Sequence, residues 1–246
     1  MTYQILLKYG LQWGLAVLLG MVTTVSISAE QEKNVKSQQA GKPAATLLRI
    51  IYKPPLLDAP PARVGGSTPG TGGKAAILQV LAPDHAGLTT QAQPTLYWYA
   101  STPVVVRFEI APINEDGAAP LLNVEAGSKK LAGIQQLDLG DHNISLLPEL
   151  TYQWSVTLVA DEGSRSADVI ASGLIEHMEP GEGLISRIER SHGTELVDVY
   201  ANEGIWYDAL ETISSMIEES PGDKGLEAIR ASLLDQVGLQ IVTGNK

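Results

Sequence analysis

Residues 147–177 read LPELTYQWSVTLVADEGSRSADVIASGLIEH, and the alternation within this stretch decides the fold class. Tyr152, Trp154, Val156 and Leu158 recur at a period of two, the spacing that turns one face of a β-strand towards a core. Gln153, Ser155 and Thr157 take the opposite face. Asp161-Glu162-Gly163-Ser164 carries turn chemistry, and Val169, Ala171, Gly173 and Ile175 resume an inward row on a partner strand. The stretch predicts a hairpin closing a β-sandwich, with Tyr152 and Trp154 in structural roles.

Upstream, further short strands are expected over 76–82, 94–100, 104–111, 120–125 and 134–139, which with 152–160 and 168–177 make seven. In the third, Val104, Val106, Phe108 and Ile110 point inward while Arg107 and Glu109 point outward. Short strands separated by Gly, Pro and Asp turns predict a sandwich of immunoglobulin or fibronectin III type over 76–178. Leu147-Pro148 ahead of Tyr152 resembles the tyrosine corner of such folds, in which the phenol bonds back to an upstream backbone group.

Downstream of Glu179-Pro180-Gly181 the hydrophobic period becomes helical, giving a helical domain over 182–240. Leu184, Ile185 and Ile188 share one face, and Gly193-Thr194 reads as a stop and cap before Leu196, Val197, Val199 and Tyr200. Ile205, Trp206, Ala209, Leu210, Ile213, Met216 and Ile217 form the clearest stripe, with Trp206 structural. Asp208, Glu211, Thr212, Ser215 and Glu218 make its expected solvent face. Leu196, Tyr200, Gly204, Ala209, Ile213 and Pro221 fall at tetratricopeptide spacing, although Gly193 stands where that motif has Trp and Met216 where it has a small residue. The expectation is therefore an α+β chain in two parts: the sandwich, then a small tetratricopeptide-like α-helical bundle leaning on it.

Residues 1–29 contain Lys8, no acid and an apolar run from 11 to 27, then Ser26-Ile27-Ser28-Ala29, and resemble a signal peptide; the alternative is an uncleaved anchor helix. Residues 30–45 read as a flexible linker and 46–75 as a Pro/Gly-rich ordered loop. These features predict an exported protein, periplasmic or at the cell surface, or held in the inner membrane by its first helix. Membrane contact would run only through 1–29. The chain has 246 residues, no cysteine and a net charge of −11. Disulfide, thiolate and Cys-zinc chemistry are excluded. Residues 30–75 carry seven Lys and Arg against three Asp and Glu, whereas 176–246 carry five against fourteen. Such an acidic body argues against nucleic acid.

Local motifs for chemistry are missing. His85, His142, His177 and His192 show no metal spacing, and no Gly-x-Ser-x-Gly elbow occurs. Near Gly73-Lys74 a phosphate loop fails, because Thr68 replaces its first Gly and Ala75 its final hydroxyl. The neighbouring acids Glu115-Asp116, Asp161-Glu162 and Glu218-Glu219 point apart. No catalytic residue, cofactor or metal is assigned.

Two clusters are candidates for binding. Tyr97 and Tyr99 share one face of their strand, opposite Leu96 and Trp98, and would suit a sugar or peptide if open. The alternative covers them with the Gly/Pro-rich loop. Arg165, Ser166 and Asp168 form the other cluster at the sandwich end, read either as a ligand site or as a pair pinning the turn.

The blocks KPPLLDAPPARVGGSTPG, LAPDHAGLTTQAQPTLYWY, LTYQWSVTLVADEGSRSADVIASGLIEH and YANEGIWYDAL, in that order over about 50–240, resemble the bacterial family called domain of unknown function 928. Pro69 stands where that family's loop is expected to have Arg. The resemblance implies an exported protein and brings no activity, cofactor or catalytic residue. Three functions follow as expectations: a non-catalytic envelope scaffold binding a protein partner, a glycan-binding module using Tyr97 and Tyr99, and a hydrolase.

Overall fold

A computed structural model describes residues 49–55, 63–67, 77–113, 119–129, 131–159 and 168–240. The signal segment, the linker, most of the Pro/Gly-rich loop, and Arg165 with Ser166 lie outside the described residues. Among the described residues nine strands are followed by four α-helices: β1 Gly66–Ser67, β2 Ile77–Val80, β3 Gly87–Thr89, β4 Thr95–Ala100, β5 Val104–Pro112, β6 Leu122–Ser128, β7 Gly133–Asp138, β8 Thr151–Leu158, β9 Val169–His177, then α1 Glu182–Arg190, α2 Thr194–Asn202, α3 Trp206–Glu219 and α4 Lys224–Gln236. The seven expected strands are β2 and β4 to β9. Two short ones, β1 and β3, join them.

The strands form a four-stranded sheet, β1-β2-β4-β7, and a five-stranded sheet, β3-β9-β8-β5-β6. The pairings between these strands are antiparallel except β3 on β9, and an isolated parallel bridge joins Pro148 to His177. The hairpin runs in register from Thr151↔Glu176 to Leu158↔Val169. Tyr152, Trp154 and Val156 are buried, as are Val169, Ala171 and Ile175 opposite them. At the start of β8 the Tyr152 phenol oxygen accepts from the Leu147 N–H at 3.0 Å.

The region expected to be loop over 46–75 contains a strand crossing. Val64 exchanges two 2.9 Å backbone hydrogen bonds with Ser172 of β9, and the next residues pair with β2. One short segment thus joins an edge of each sheet. Two residues of strand built on Gly66 carry no alternation, which is why the sequence reads as loop.

Between the sheets the aromatic rings follow one another: Trp98 to Phe108 at 6.4 Å, Phe108 to Trp154 at 6.0 Å, and Trp154 to Tyr207 of α3 at 6.5 Å. Gly173 lets the sheets approach closely here, since a Cβ on it would stand 2.6 Å from Ala82 Cβ. The apolar core is continuous from both sheets into α2, α3 and α4, and Ala45–Lys246 form one compact unit. By contrast α1 has no buried residue. Among the described residues, no helix is long and apolar enough to cross a membrane.

A strap formed by residues 49–55 ties the helices down. Lys53 N–H donates to Ala201 O at 2.9 Å, and Gln236 of α4 donates to Ile50 O and accepts from Tyr52 N–H. Gly204, at φ 75, admits the strap, with Lys53 O and Pro55 where a side chain would stand. Arg63 donates to Ala82 O at 3.0 Å and to Val237 O at the end of α4 at 2.9 Å, and pairs with Asp84 at 2.7 Å. A cation at a helix C-terminus meets the negative end of its dipole.

Candidate functional site

Three successive residues of α3 key it into the sheets. Trp206 Nε1 donates to Leu81 O at 2.8 Å. The Tyr207 hydroxyl accepts from Trp154 Nε1 at 2.8 Å and donates to Leu174 O at 2.9 Å, so its capacity is filled inside the core. The Asp208 carboxylate accepts from the Thr90 N–H and from the Thr90 hydroxyl. One turn on, Glu211 accepts from Gln91 Nε2 and Thr95 Oγ1, each at 2.7 Å.

This corrects the expected solvent face of the helix: Asp208 is 0% exposed. A carboxylate is tolerated there because the loop between β3 and β4 supplies donors. Burial pushes the Asp208 carboxyl up to about 6, against the pull of its hydrogen bonds from Thr90 and Thr89. The sequence signal that was missed is the run Trp206-Tyr207-Asp208, where a third consecutive buried residue breaks the amphipathic pattern. Capping needs a similar correction: Gly193 at φ 57 is the N-cap of α2 and Thr194 its first residue.

Tyr97 and Tyr99 do project on the side opposite Trp98, but α3 and α4 lie over that side. Tyr97 is 3% exposed, with its hydroxyl bonded to the Ser214 side chain and Glu218 and Arg230 nearby. Tyr99 is half-buried. The two rings therefore form no open stacking platform. Burial, with the Glu211 and Glu218 charges adding to it, raises the Tyr97 phenol well above its ordinary range, so it stays neutral.

Beside Tyr97 a groove runs between α3, α4 and the β7 edge. One end, a cavity of about 490 Å³, is lined by Tyr97, Leu131, Ile134, Gln136, Glu218 and Arg230 among others. Its continuation, about 420 Å³, shares Ile134 and Arg230 and adds Lys224, Glu227 and Ala231. Arg230 stands where the two ends meet. Among the described residues it makes no ion pair, and its hydrogen bond is a contact at 3.5 Å from Nη1 to Ser214 Oγ, the outer limit for such a bond. Desolvation lowers its pKa, while Tyr97, Glu227 and Glu218 pull the other way. The result is a half-buried guanidinium with no ion pair among the described residues, in a groove whose walls include Leu131, 66% exposed.

Asp168 takes a different place. It lines a trough of about 430 Å³ on the outer face of the five-stranded sheet with Arg107, Glu109, Ser155, Thr157 and Ile170. Ser155 and Thr157 on β8 give it a floor of short side chains, and the register sets Arg107 and Glu109 beside them on β5. Glu109 accepts from Asn123 Nδ2 at 2.8 Å. Trough and groove are on different sheets and are not brought together. Among the described residues no group of three His, Cys, Asp or Glu could hold a metal ion.

The search of curated proteins returns no match. Among solved structures the chain is similar to one in the crystal structure of a multi-domain immunophilin from Arabidopsis thaliana, at 9% identity, covering 78% of this chain and 96% of that one. The TM-score is 0.15, which carries no argument about fold or function. The model of the family described as Domain of Unknown Function (DUF928) matches residues 64–246, which take in every strand and helix described above, and the chain belongs to that family.

Proposed function

We propose that this chain is an exported, non-catalytic protein of the bacterial cell envelope that acts as a protein-interaction scaffold. The observation carrying this reading is the groove beside α4, where an apolar wall meets a guanidinium with no ion pair among the described residues. Such pairing of apolar surface with an unused charge suits a protein partner. The strand order, with β3 parallel on β9 at the rim of the five-stranded sheet, supports an immunoglobulin or fibronectin III-like sandwich. The α2–α3 hairpin supports the tetratricopeptide-like reading, closed off by α4. Export rests on the sequence of residues 1–29.

Photo-crosslinking in intact cells tests it. A crosslinker at Gln136, in the groove, is expected to capture a discrete envelope protein, and Arg230→Gln to reduce the yield. No discrete product from Gln136, or recovery of the full chain only in the cytosol, would overturn the scaffold reading.

A glycan-binding module is the second reading, favoured by the polar trough with Arg107, Ser155 and Thr157 rather than by the tyrosines. Retention on cell-wall polysaccharide that is lost in Arg107→Ala supports it, and no retention removes it.

A further inference from the structure

The groove has one wall that is a strand edge. β7 is the last strand of its sheet, and Leu139, just beyond it, donates its N–H to Pro94 O at 3.2 Å. In an antiparallel pair successive residues address opposite sides, so the odd-numbered residues of β7 face β4 while Ile134, Gln136 and Asp138 turn their N–H and C=O groups off the edge. Natural edges are usually blunted by charge, proline or cover. β7 reads GIQQLD, without proline and with its one charge, Asp138, at its last position, whereas β6, at an edge of the other sheet, carries Glu125 in mid-strand. The side chains of Ile134 and Gln136 line the groove beside Ile217, Glu218 and Arg230.

We propose that this edge accepts an extended segment of a partner protein as an added strand, with a carboxylate side chain of that segment meeting Arg230. The inference rests on the scaffold reading and specifies its binding mode. The Ile134 N–H and the Gln136 N–H and C=O line the edge, the Ile134 C=O also accepting from Gln135 Nε2 at 3.3 Å, and alternate side chains of the incoming strand fall into the groove. Arg230 selects a carboxylate at one of these positions, because its remaining donors suit a planar acceptor. An aliphatic residue two positions away meets Leu131, Ile134 and Ile217. Glu218 and Glu227 flank the site, which disfavours more than one acid in the segment.

The test pans a random nine-residue peptide library against the full chain and measures the affinity of the enriched peptides. Enriched sequences are expected to carry one Asp or Glu with an aliphatic residue two positions away. Arg230→Gln is expected to weaken binding about 10-fold or more. Methylating alternate backbone nitrogens of the peptide should abolish binding in one phase and spare it in the other, a readout that requires no change to the protein. Gln136→Pro removes an outward N–H and is expected to lower binding while leaving the thermal midpoint near that of the parent. Enrichment without an acid, binding indifferent to the phase of methylation, or dimerisation of the chain through β7 would overturn the strand-addition proposal. Peptides insensitive to Arg230→Gln but displaced by Ile185→Asp on α1 would overturn it and leave the scaffold reading standing.

Discussion

On the four-stranded sheet the outward residues of β4 and β7 are Tyr97, Tyr99, Ile134 and Gln136, and α3 and α4 close over Tyr97 while Gln136 stays exposed at the edge; on the five-stranded sheet the outward residues of β5 and β8 include Arg107, Glu109, Ser155 and Thr157, which line an open trough. The inner faces are alike, with Leu96 and Trp98 on one side meeting Phe108 and Trp154 on the other. The outer faces differ because of what each presents. Two phenols and an isoleucine leave enough apolar surface to hold a helical layer, at roughly 25 cal/mol for each Å² removed from water. Short hydroxyls and charges do not. The helices are in effect the third layer of one sheet, and their covering is what makes a groove along its edge.

Removing the principal anchor of that layer should have the largest effect. Trp206 is 1% exposed and donates to Leu81 O, so Trp206→Ala opens a cavity and leaves a buried carbonyl without its partner. Urea denaturation is expected to show a loss of about 3–5 kcal/mol, with hydrogen exchange in β4 accelerated more than in β5. A loss below about 1 kcal/mol would mean that α3 rests on the sheet without belonging to its core.

The polar attachment of the same helix sets a pH dependence. Asp208 has a folded-state value of about 6 against an ordinary 3.8, so between those limits the folded chain holds more protons than the unfolded one. Stability from this group is present in full below 3.8 and is lost as pH rises through about 6. The difference amounts to at most roughly 3 kcal/mol. Relative to Asp208→Asn, the parent protein is therefore expected to lose stability from about pH 4 to about pH 7 in urea titrations. Parallel pH profiles for the two proteins would show that the carboxyl titrates normally despite its burial.

Legibility in the sequence tracked this contrast. The strands β5, β8 and β9 face solvent on one side, so strict alternation marks them and assigns Arg107 and Thr157 outward correctly. In β4 the run TLYWYA is apolar on both faces, with Leu96, Tyr97 and Trp98 all buried. A strand apolar on both faces is covered on both, and that feature marks the helical layer. Neither sequence reading of the Tyr97 side, an open platform or cover by the Gly/Pro-rich loop, includes that layer. Asp208 was illegible for another reason: a buried carboxylate depends on donors from Thr90, 118 residues away, which no local window contains. The strands β1 and β3, at two and three residues, are fixed by neighbours rather than by any pattern of their own. Arg230 reads as an ordinary polar residue of α4, and its place in a groove becomes visible only when β7 lies beside it.

The smallest effect belongs on the open face. Thr157 points into the trough from β8, half-buried, between Arg107 on β5 and Ile170 on β9. Thr157→Val keeps the β-branched shape that suits a strand and removes only the hydroxyl. If the trough is solvated surface, stability should change by no more than about 0.5 kcal/mol. Destabilisation well above that would mean the hydroxyl is held by a neighbour and that this face, too, is built into the fold. The comparison between the sheets would then turn on apolar cover against polar cover, and no longer on cover against exposure.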